Sequence, residues 1–314
     1  MNLDIISYNL LDPNNSEIIN KIENILLRKG IIGISDVPDF ETKSRKYILA
    51  AQKFSTLTET VKLQYAPNRD ADETEGYELG AEWFKNSNDQ WQIDDKKSSF
   101  YAYVPDNSLN KWPREVNLKS AYMELGELIF NTGKVLLYAL RLNETVGLLH
   151  QDIIGQARML HYHKETHELN ENINWCGEHT DHGILTGLIP AYYFKNGIEV
   201  EEPPEAGLYI MPSDKNDFEK IDASDKSILL FQVGEFGQLI LNDQIKATKH
   251  KVKKAKDEIE RYTFALFYSA DGNMAIQSKS ILSQDLRYIQ NKTANGSITY
   301  KLWEQASYER YRAR

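Results

Sequence analysis

Residues 174–188, NWCGEHTDHGILTGL, combine two candidate metal ligands with a strand-like segment. This stretch places His179 and Asp181 two residues apart, directly before an apolar run that contains β-branched residues. On an extended chain, residues i and i+2 share a face, so this imidazole and this carboxylate can bind one metal ion. A third ligand would come from a distant strand facing the same cavity, and His250 lies in the strand-like segment ATKHKV. The sequence therefore predicts a metal site formed by His179, Asp181 and His250.

Two histidines and one carboxylate are the facial triad of non-haem Fe(II) oxygenases, which leaves coordination positions open for O2 and a co-substrate. A zinc hydrolase could use the same three residues. Arg261 and Thr263 follow His250 in the segment ERYTFALFY, where they share a strand face. A guanidinium and a hydroxyl can together bind one carboxylate, as a dicarboxylic co-substrate would require.

Composition excludes several classes of partner. The chain has 314 residues, of which 41% are apolar, and a formal net charge of −9. This charge argues against nucleic-acid and anionic-membrane partners, which select basic surfaces. The single cysteine, Cys176, permits neither an intrachain disulfide nor a thiolate metal cluster, as expected in a reducing compartment. We therefore expect a cytoplasmic protein with a small-molecule substrate, and we infer no protein partner.

Periodicity divides the chain near Gly155. Before it, Asn15 or Ser16 begins an amphipathic helix that Gly30 ends, and a long amphipathic helix covers about 115–143. Residues 66–113 are polar, contain scattered aromatic residues and lack periodicity, which predicts a long loop over a site. After Gly155 come seven short strand-like segments with no helix between them: ARMLHYH, GILTGLI, GLYIM, SILLFQV, GQLILND, ATKHKV and YTFALFY.

This pattern predicts an α+β fold with a mainly β core, a double-stranded β-helix or jelly roll. An N-terminal helical region would precede the core, and a long helix would pack on its sheet. The expected divisions are 1–113 for the N-terminal helical region with its cover loop, 114–154 for the long helix and its connection, 155–272 for the jelly-roll core, and 273–314 for a C-terminal helical cover.

The ordered set His-x-Asp, distant His, then Arg-x-Thr resembles the Fe(II)/2-oxoglutarate-dependent dioxygenases of the isopenicillin N synthase-like branch. EHTDHGILTGLI is similar to that family's metal-strand motif, and LLRKGIIGISDVP to its N-terminal strand region. The resemblance implies Fe(II), O2 and 2-oxoglutarate (2OG) as co-substrate, with hydroxylation, desaturation or cyclisation of a small organic substrate. It also implies that Tyr162, in ARMLHYH, joins Arg261 and Thr263 in binding 2OG.

Two features depart from the family pattern. The sequence separation between Asp181 and His250 is longer than usual, which suggests an insertion, and LHYH replaces the Asn-x-Tyr-Pro of plant relatives. Arg158 shares a strand face with Tyr162 and is a candidate to bind an acidic group of the prime substrate; a structural salt bridge is the alternative.

A rival metal site could use His161, His163 and His167, which are close together in sequence. By strand alternation, however, His161 and His163 face away from the cavity if Tyr162 faces it. Two other functions stay open at this point. One is an isopenicillin N synthase-type oxidase that uses no 2OG, in which Arg261 would hold a substrate carboxylate. The other is a non-catalytic, metal-binding jelly roll.

Overall fold

A computed structural model describes residues 1–12, 14–71, 73–80, 83–85, 91–93, 95–139, 153–164 and 174–312. These residues form a mixed α+β structure. The seven helices of this part of the chain are α1 Ser16–Lys29, α2 Phe40–Ser55, α3 Glu59–Lys62, α4 Leu118–Ala139, α5 Glu235–Ile240, α6 Leu286–Asn291 and α7 Tyr300–Arg312. Short 3-10 helices occur at Tyr8–Leu10, Leu63–Tyr65, Arg69–Ala71 and Ile281–Gln284.

Local signals set the first helix. The Asn15 side chain accepts a hydrogen bond from the backbone N–H of Ile18 at 3.3 Å, which caps the N-terminus of α1. Gly30 ends the helix with φ of 71°, a left-handed conformation that glycine adopts without steric cost. The predicted start and end of this helix are therefore confirmed.

Ten strands form the major sheet, in the order β1-β2-β14-β9-β16-β7-β6-β3, and β10 extends it by pairing with β16 and β11. Their bounds are β1 Ile5–Ser7, β2 Ile31–Ser35, β3 Gly76–Leu79, β6 Lys97–Val104, β7 Ile153–Tyr162, β9 Leu185–Leu188, β10 Tyr192–Lys195, β11 Ile198–Val200, β14 Leu229–Val233 and β16 Ile259–Ala270. The β1–β2 pair is parallel. The remaining pairs are antiparallel.

Four strands form the minor sheet, in the order β13-β12-β15-β8, and two short hairpins complete the strands. The minor-sheet strands are β8 Asn174–His179, β12 Gly207–Met211, β13 Glu219–Lys220 and β15 Lys249–Lys253. The hairpins pair β4 Trp83–Lys85 with β5 Trp91–Ile93, and β17 Ala275–Ile276 with β18 Ile298–Thr299. The chain passes from β15 in the minor sheet to β16 in the major sheet through residues 254–258. One cavity is lined by residues of both sheets.

Helix α4 packs against the major sheet, as predicted for the long helix. The Tyr122 hydroxyl donates to the backbone oxygen of Phe100 at 3.0 Å, and the Tyr268 hydroxyl donates to that of Ile129 at 2.5 Å. A Cβ atom at Gly133 would lie 2.0 Å from the Tyr268 hydroxyl oxygen, so glycine permits the close approach of helix and sheet.

Two elements differ from the prediction. The expected loop over 66–113 contains strand Lys97–Val104, which lies inside the major sheet. Its inward-facing residues include Lys97, which lines the cavity, and Ser99, whose hydroxyl accepts from Nε of Arg158, so the strand lacks the apolar alternation used to recognise strands. GQLILND is not a strand, because helix α5 covers most of it. An apolar run this short fits either element, and contacts with residues distant in sequence decide between them.

The α+β class with a strand-rich core is confirmed, whereas the four divisions of the chain stay predictions. No helix in the described part of the chain is both long enough and apolar enough to cross a membrane.

Candidate active site

The three predicted metal ligands lie together at the minor sheet. His179 ends β8 and faces His250 of β15 across an antiparallel pair. Asp181 lies two residues beyond the end of β8, in the turn before β9. Its Oδ1 atom is 3.8 Å from Nε2 of His179 and 3.9 Å from Nε2 of His250. In the described part of the chain, these residues form the one group of three or more His, Cys, Asp or Glu side chains whose ligand atoms lie within 4.8 Å of one another.

Each ligand side chain is oriented by a hydrogen bond at the atom that does not face the centre. Nδ1 of His179 lies 2.8 Å from the backbone oxygen of Gly177, and Nδ1 of His250 lies 3.0 Å from that of Thr248. When the rings are neutral, donation from Nδ1 to these carbonyls leaves each Nε2 atom with a lone pair directed at the centre, the arrangement that metal-binding histidines use.

Asp181 is held in the same way. Its Oδ2 atom accepts hydrogen bonds from the Thr186 hydroxyl and from Nε2 of Gln232, both at 2.7 Å. This leaves Oδ1 for a metal ion and favours binding through one carboxylate oxygen. Two Nε2 atoms and one oxygen therefore converge, a donor set that suits Fe(II) and also fits Zn(II).

The electrostatics of the three groups follow from their burial and mutual contact. Burial, reinforced by His179, lowers the pKa of His250 to about 4. Burial also acts to lower the pKa of His179, but Cys176 and Asp181 outweigh it and raise that pKa to about 9. Burial acts to raise the pKa of Asp181, yet the two histidines hold it below its ordinary value. Metal binding at neutral pH must therefore displace a proton from His179.

Arg261 lies in the major sheet, which provides the opposite wall of the same cavity. It is directly opposite Tyr162 of β7 and Tyr193 of β10 in register, and Lys97 of β6 is opposite Tyr162, so four neighbouring strands present one row of side chains. The Arg261 guanidinium lies 4.8 Å from the centre of the Tyr162 ring. Its Nε donates to the Tyr193 hydroxyl at 3.3 Å, while its buried Nη1 has no hydrogen-bond partner among the described residues.

Thr263 and Arg158 line this cavity too. The Thr263 hydroxyl donates to the backbone oxygen of Ile189 at 2.9 Å, so in this conformation its proton is already used. Arg158 donates from Nε to the Ser99 hydroxyl at 2.9 Å and lies 5.0 Å from the ring centre of Tyr101. The structure thus brings both residues to the cavity, and their ligand-binding roles stay predictions.

His161 and His163 of the rival cluster lie with ring centres 4.6 Å apart, but they form no three-ligand group with any other described residue. His161 is stacked on Tyr262, with ring centres 4.2 Å apart, and its Nε2 lies 3.2 Å from Glu260. His163 lies 3.1 Å from the hydroxyl of Ser98. Neither lines the cavity, as strand alternation predicts, and His167 is outside the described residues.

Sequence reasoning missed four polar residues that line the cavity, Lys97, Thr186, Glu202 and Gln232, and also Tyr193, which accepts a hydrogen bond from Arg261. Gln232 carried a signal, because it is the single polar side chain within the apolar strand LLFQV. Thr186 lies five residues after Asp181, within the β-branched run. Neither Tyr193 nor Glu202 carried a sequence signal, since their positions depend on how β10 and the chain after β11 pack against β16.

Comparisons with known proteins identify the fold by structure and not by sequence. No protein-family model matches the chain, and no curated protein matches it in sequence. Among solved structures, a Caulobacter crescentus protein assigned to the 2OG-Fe(II) oxygenase family matches with a TM-score of 0.71 at 18% identity, over 98% of each chain. The fold is that of the 2OG-Fe(II) oxygenases.

Two ligand-bound structures share this 2OG-Fe(II) oxygenase fold. A full-length Neurospora crassa protein in complex with alpha-KG has a TM-score of 0.69 at 18% identity, over 97% of this chain and 95% of that one. JOX2 in complex with 2OG, Fe and JA has a TM-score of 0.68 at 17% identity, over 97% of this chain and 83% of that one. The Neurospora protein is also known in complex with thymine. Both neighbours therefore bind small molecules.

Proposed function

We propose that this protein is a non-haem Fe(II) oxygenase that couples O2 activation and 2OG decarboxylation to the oxidation of a small organic substrate. Its fold would be the double-stranded β-helix, with the metal on the minor sheet and the co-substrate anchor on the major sheet. The observation that carries the proposal is the placement of His179, Asp181 and His250 in one cavity with Arg261.

The metal assignment rests on the donor set. His179, Asp181 and His250 would bind Fe(II) through Nε2, Oδ1 and Nε2. The hydrogen bonds at their other polar atoms hold these three in place, which lowers the entropic cost of binding a metal. Three ligands on one side of an octahedral ion leave the other positions open, as an oxygenase needs and a closed structural site does not.

The co-substrate assignment rests on Arg261. A buried guanidinium nitrogen without a partner is costly, and a carboxylate would satisfy it through a charge-assisted hydrogen bond. The far carboxylate of 2OG would bind there, with Tyr162 stacked against the guanidinium. Thr263 would contribute less, because its hydroxyl must first leave the backbone oxygen of Ile189.

Bound Fe(II) and 2OG would supply the chemistry, in which O2 accepts four electrons. Two would come from 2OG, which becomes succinate and CO2, and two from the prime substrate. The protein orients the reactants and excludes water. Arg158 is the residue we assign to an acidic group of the prime substrate, because it lines the cavity two residues along β7 from Leu160 and four from Tyr162. The C-terminal cover and parts of 66–113 would close the site.

An anaerobic titration tests the proposal. Purified protein is loaded with Fe(II) without O2, and 2OG is added while the visible charge-transfer band of an Fe(II)–2OG chelate is followed. We expect a saturable band in the wild-type protein. Arg261→Ala should keep its iron and bind 2OG tens to thousands of fold more weakly, because losing one partner of a buried charged pair costs about 2–5 kcal/mol. Arg45→Ala, which removes an exposed arginine, is the matched control.

The outcomes separate the alternatives. Iron bound with no 2OG-dependent band would refute the co-substrate assignment and favour the oxidase, in which Arg261 holds a substrate carboxylate. Failure of the wild-type protein to bind Fe(II) would refute the metal assignment itself.

A further inference from the structure

A partly buried ion pair, Glu202 with Lys220, lies next to the proposed co-substrate anchor. Glu202 follows strand β11 and lines the cavity together with Arg261. The Tyr193 hydroxyl joins them, since it accepts from Nε of Arg261 at 3.3 Å and donates to Oε2 of Glu202 at 2.9 Å. The other oxygen of Glu202 lies 2.8 Å from Nζ of Lys220. The carboxylate is thus two hydrogen bonds from the guanidinium.

The position of Glu202 is fixed by its surroundings. Its side chain is only 10% exposed, and Nζ of Lys220 also donates to the backbone oxygens of Pro203 and Pro204, both at 3.0 Å. Lys220 therefore holds the backbone of residues 202–204 in place through these bonds. Its positive charge also offsets part of the negative charge on Glu202. A wider, more open groove of ≈ 870 Å³ lies on the outer side of this pair. Glu202 lines both the groove and the cavity, and it therefore lies between them.

A carboxylate bound to Arg261 would feel both charges. Glu202 repels it, Lys220 attracts it, and both effects are larger at a buried position than in water. A longer dicarboxylate would extend its terminal carboxylate past Arg261, toward Tyr193 and Glu202, the next groups in the hydrogen-bond chain.

We propose that Glu202 and Lys220 set the affinity and the chain-length selectivity of the co-substrate subsite, with Glu202 disfavouring 2-oxo diacids longer than 2OG. This proposal rests on the proposed function. Glu202 and Lys220 are positioning residues, because they act through Arg261 and through charge rather than by touching the reacting atoms.

The test measures dissociation constants of 2OG and of 2-oxoadipate, its homologue with one more CH2 group, by the anaerobic charge-transfer titration. Glu202→Gln keeps the size of the side chain and one of its two hydrogen-bond acceptors, and it removes the charge. We expect it to bind 2OG at least threefold more tightly and to lose at least threefold of its preference for 2OG over 2-oxoadipate. Lys220→Met should bind 2OG at least threefold more weakly.

Two controls separate charge from damage to the fold. The double variant Glu202→Gln/Lys220→Met removes both charges and should return to within twofold of the wild-type affinity, which a misfolded protein would not. Glu199→Gln removes a nearby exposed carboxylate that pairs with Arg45, and it should change neither constant more than twofold.

The outcomes distinguish this proposal from the one it rests on. A normal wild-type titration, with Glu202→Gln binding 2OG equally or more weakly, overturns the role of Glu202 alone. A double variant as weak as Lys220→Met also overturns it, because the effect is then not one of compensating charge. A flat wild-type titration overturns the co-substrate assignment and this proposal with it.

Discussion

Replacing Arg287 by methionine should destabilise the protein strongly and loosen the turn that carries Asp181. Arg287 and Glu235 form a buried ion pair, with Nη1 and Oε2 2.7 Å apart and side chains only 7% and 8% exposed. The second oxygen of Glu235 accepts from the Thr180 hydroxyl at 2.6 Å, and the backbone N–H of Glu235 donates to the oxygen of Asp181 at 2.7 Å. This pair therefore connects α6, which carries Arg287, to the proposed metal site.

The magnitude follows from the charge left behind. Methionine keeps much of the arginine volume but leaves the Glu235 carboxylate buried without its partner, which typically costs about 3–5 kcal/mol. The guanidinium also lies 4.2 Å from the ring centre of Trp303, a contact that methionine partly replaces. At about 2–4 °C per kcal/mol for a large domain, the melting temperature should fall by roughly 6–20 °C.

Urea unfolding followed by circular dichroism measures the free energy of unfolding, and Fe(II) affinity measures the state of the site. The double variant Glu235→Gln/Arg287→Met is the decisive comparison. It removes the buried carboxylate of Glu235 and leaves only Asp285, whose side chain is 27% exposed, without its arginine partner, so it should be more stable than Arg287→Met alone. A loss below 1 kcal/mol for the single variant, or a double variant less stable than the single one, would refute the reasoning.

Three further predictions concern single side chains. His250→Ala should abolish Fe(II) binding in a metal assay while His163→Ala leaves it intact; the reverse result would contradict the triad. Gln232→Leu should weaken Fe(II) binding, because the Asp181 carboxylate loses a hydrogen bond of the charged kind, worth about 1.5–3 kcal/mol, and unchanged affinity would argue against this role. Burial raises the pKa of Glu304 to about 7. The folded protein then holds this proton more tightly than the unfolded chain, so stability falls as pH rises from about 4.5 to 7. Glu304→Gln should remove that component of the pH dependence in urea unfolding curves.

The proposed ligands could be predicted from sequence because the chemistry and the spacing coincide. His179 and Asp181 are two apart, and Arg261 and Thr263 share a strand face, so local geometry alone places each pair. Asp181 lies near His179 and His250 even though it is in a turn rather than in the strand, and its role as a ligand stays a prediction. The turn keeps the carboxylate near His179 because Thr186 and Gln232 hold it there.

Elements whose form depends on distant contacts could not be predicted. Strand Lys97–Val104 begins with polar residues because Lys97 lines the cavity and Ser99 binds Arg158, and its sequence therefore resembles a loop. The first backbone N–H groups of helix Glu235–Ile240 donate to the backbone oxygens of Asp181 and Gly183. No local sequence pattern predicts these distant partners. The place of Glu202 likewise depends on Tyr193 and Lys220, which come from other strands.

The short connection at 254–258, between β15 and β16, limits where residues can be inserted into this protein during evolution or in the laboratory. His250 precedes it in one sheet and Arg261 follows it in the other, so its length sets the separation between the proposed metal ligand and the proposed anchor. The stretch between Asp181 and His250 can instead gain residues in the β10–β11 turn at 196–197 or in the β12–β13 connection at 212–218, which leave that separation and the Glu202–Lys220 pair unchanged. New substrate-facing loops could therefore be grafted into those two stretches, whereas inserting even one residue into 254–258 should uncouple the two ends of the site.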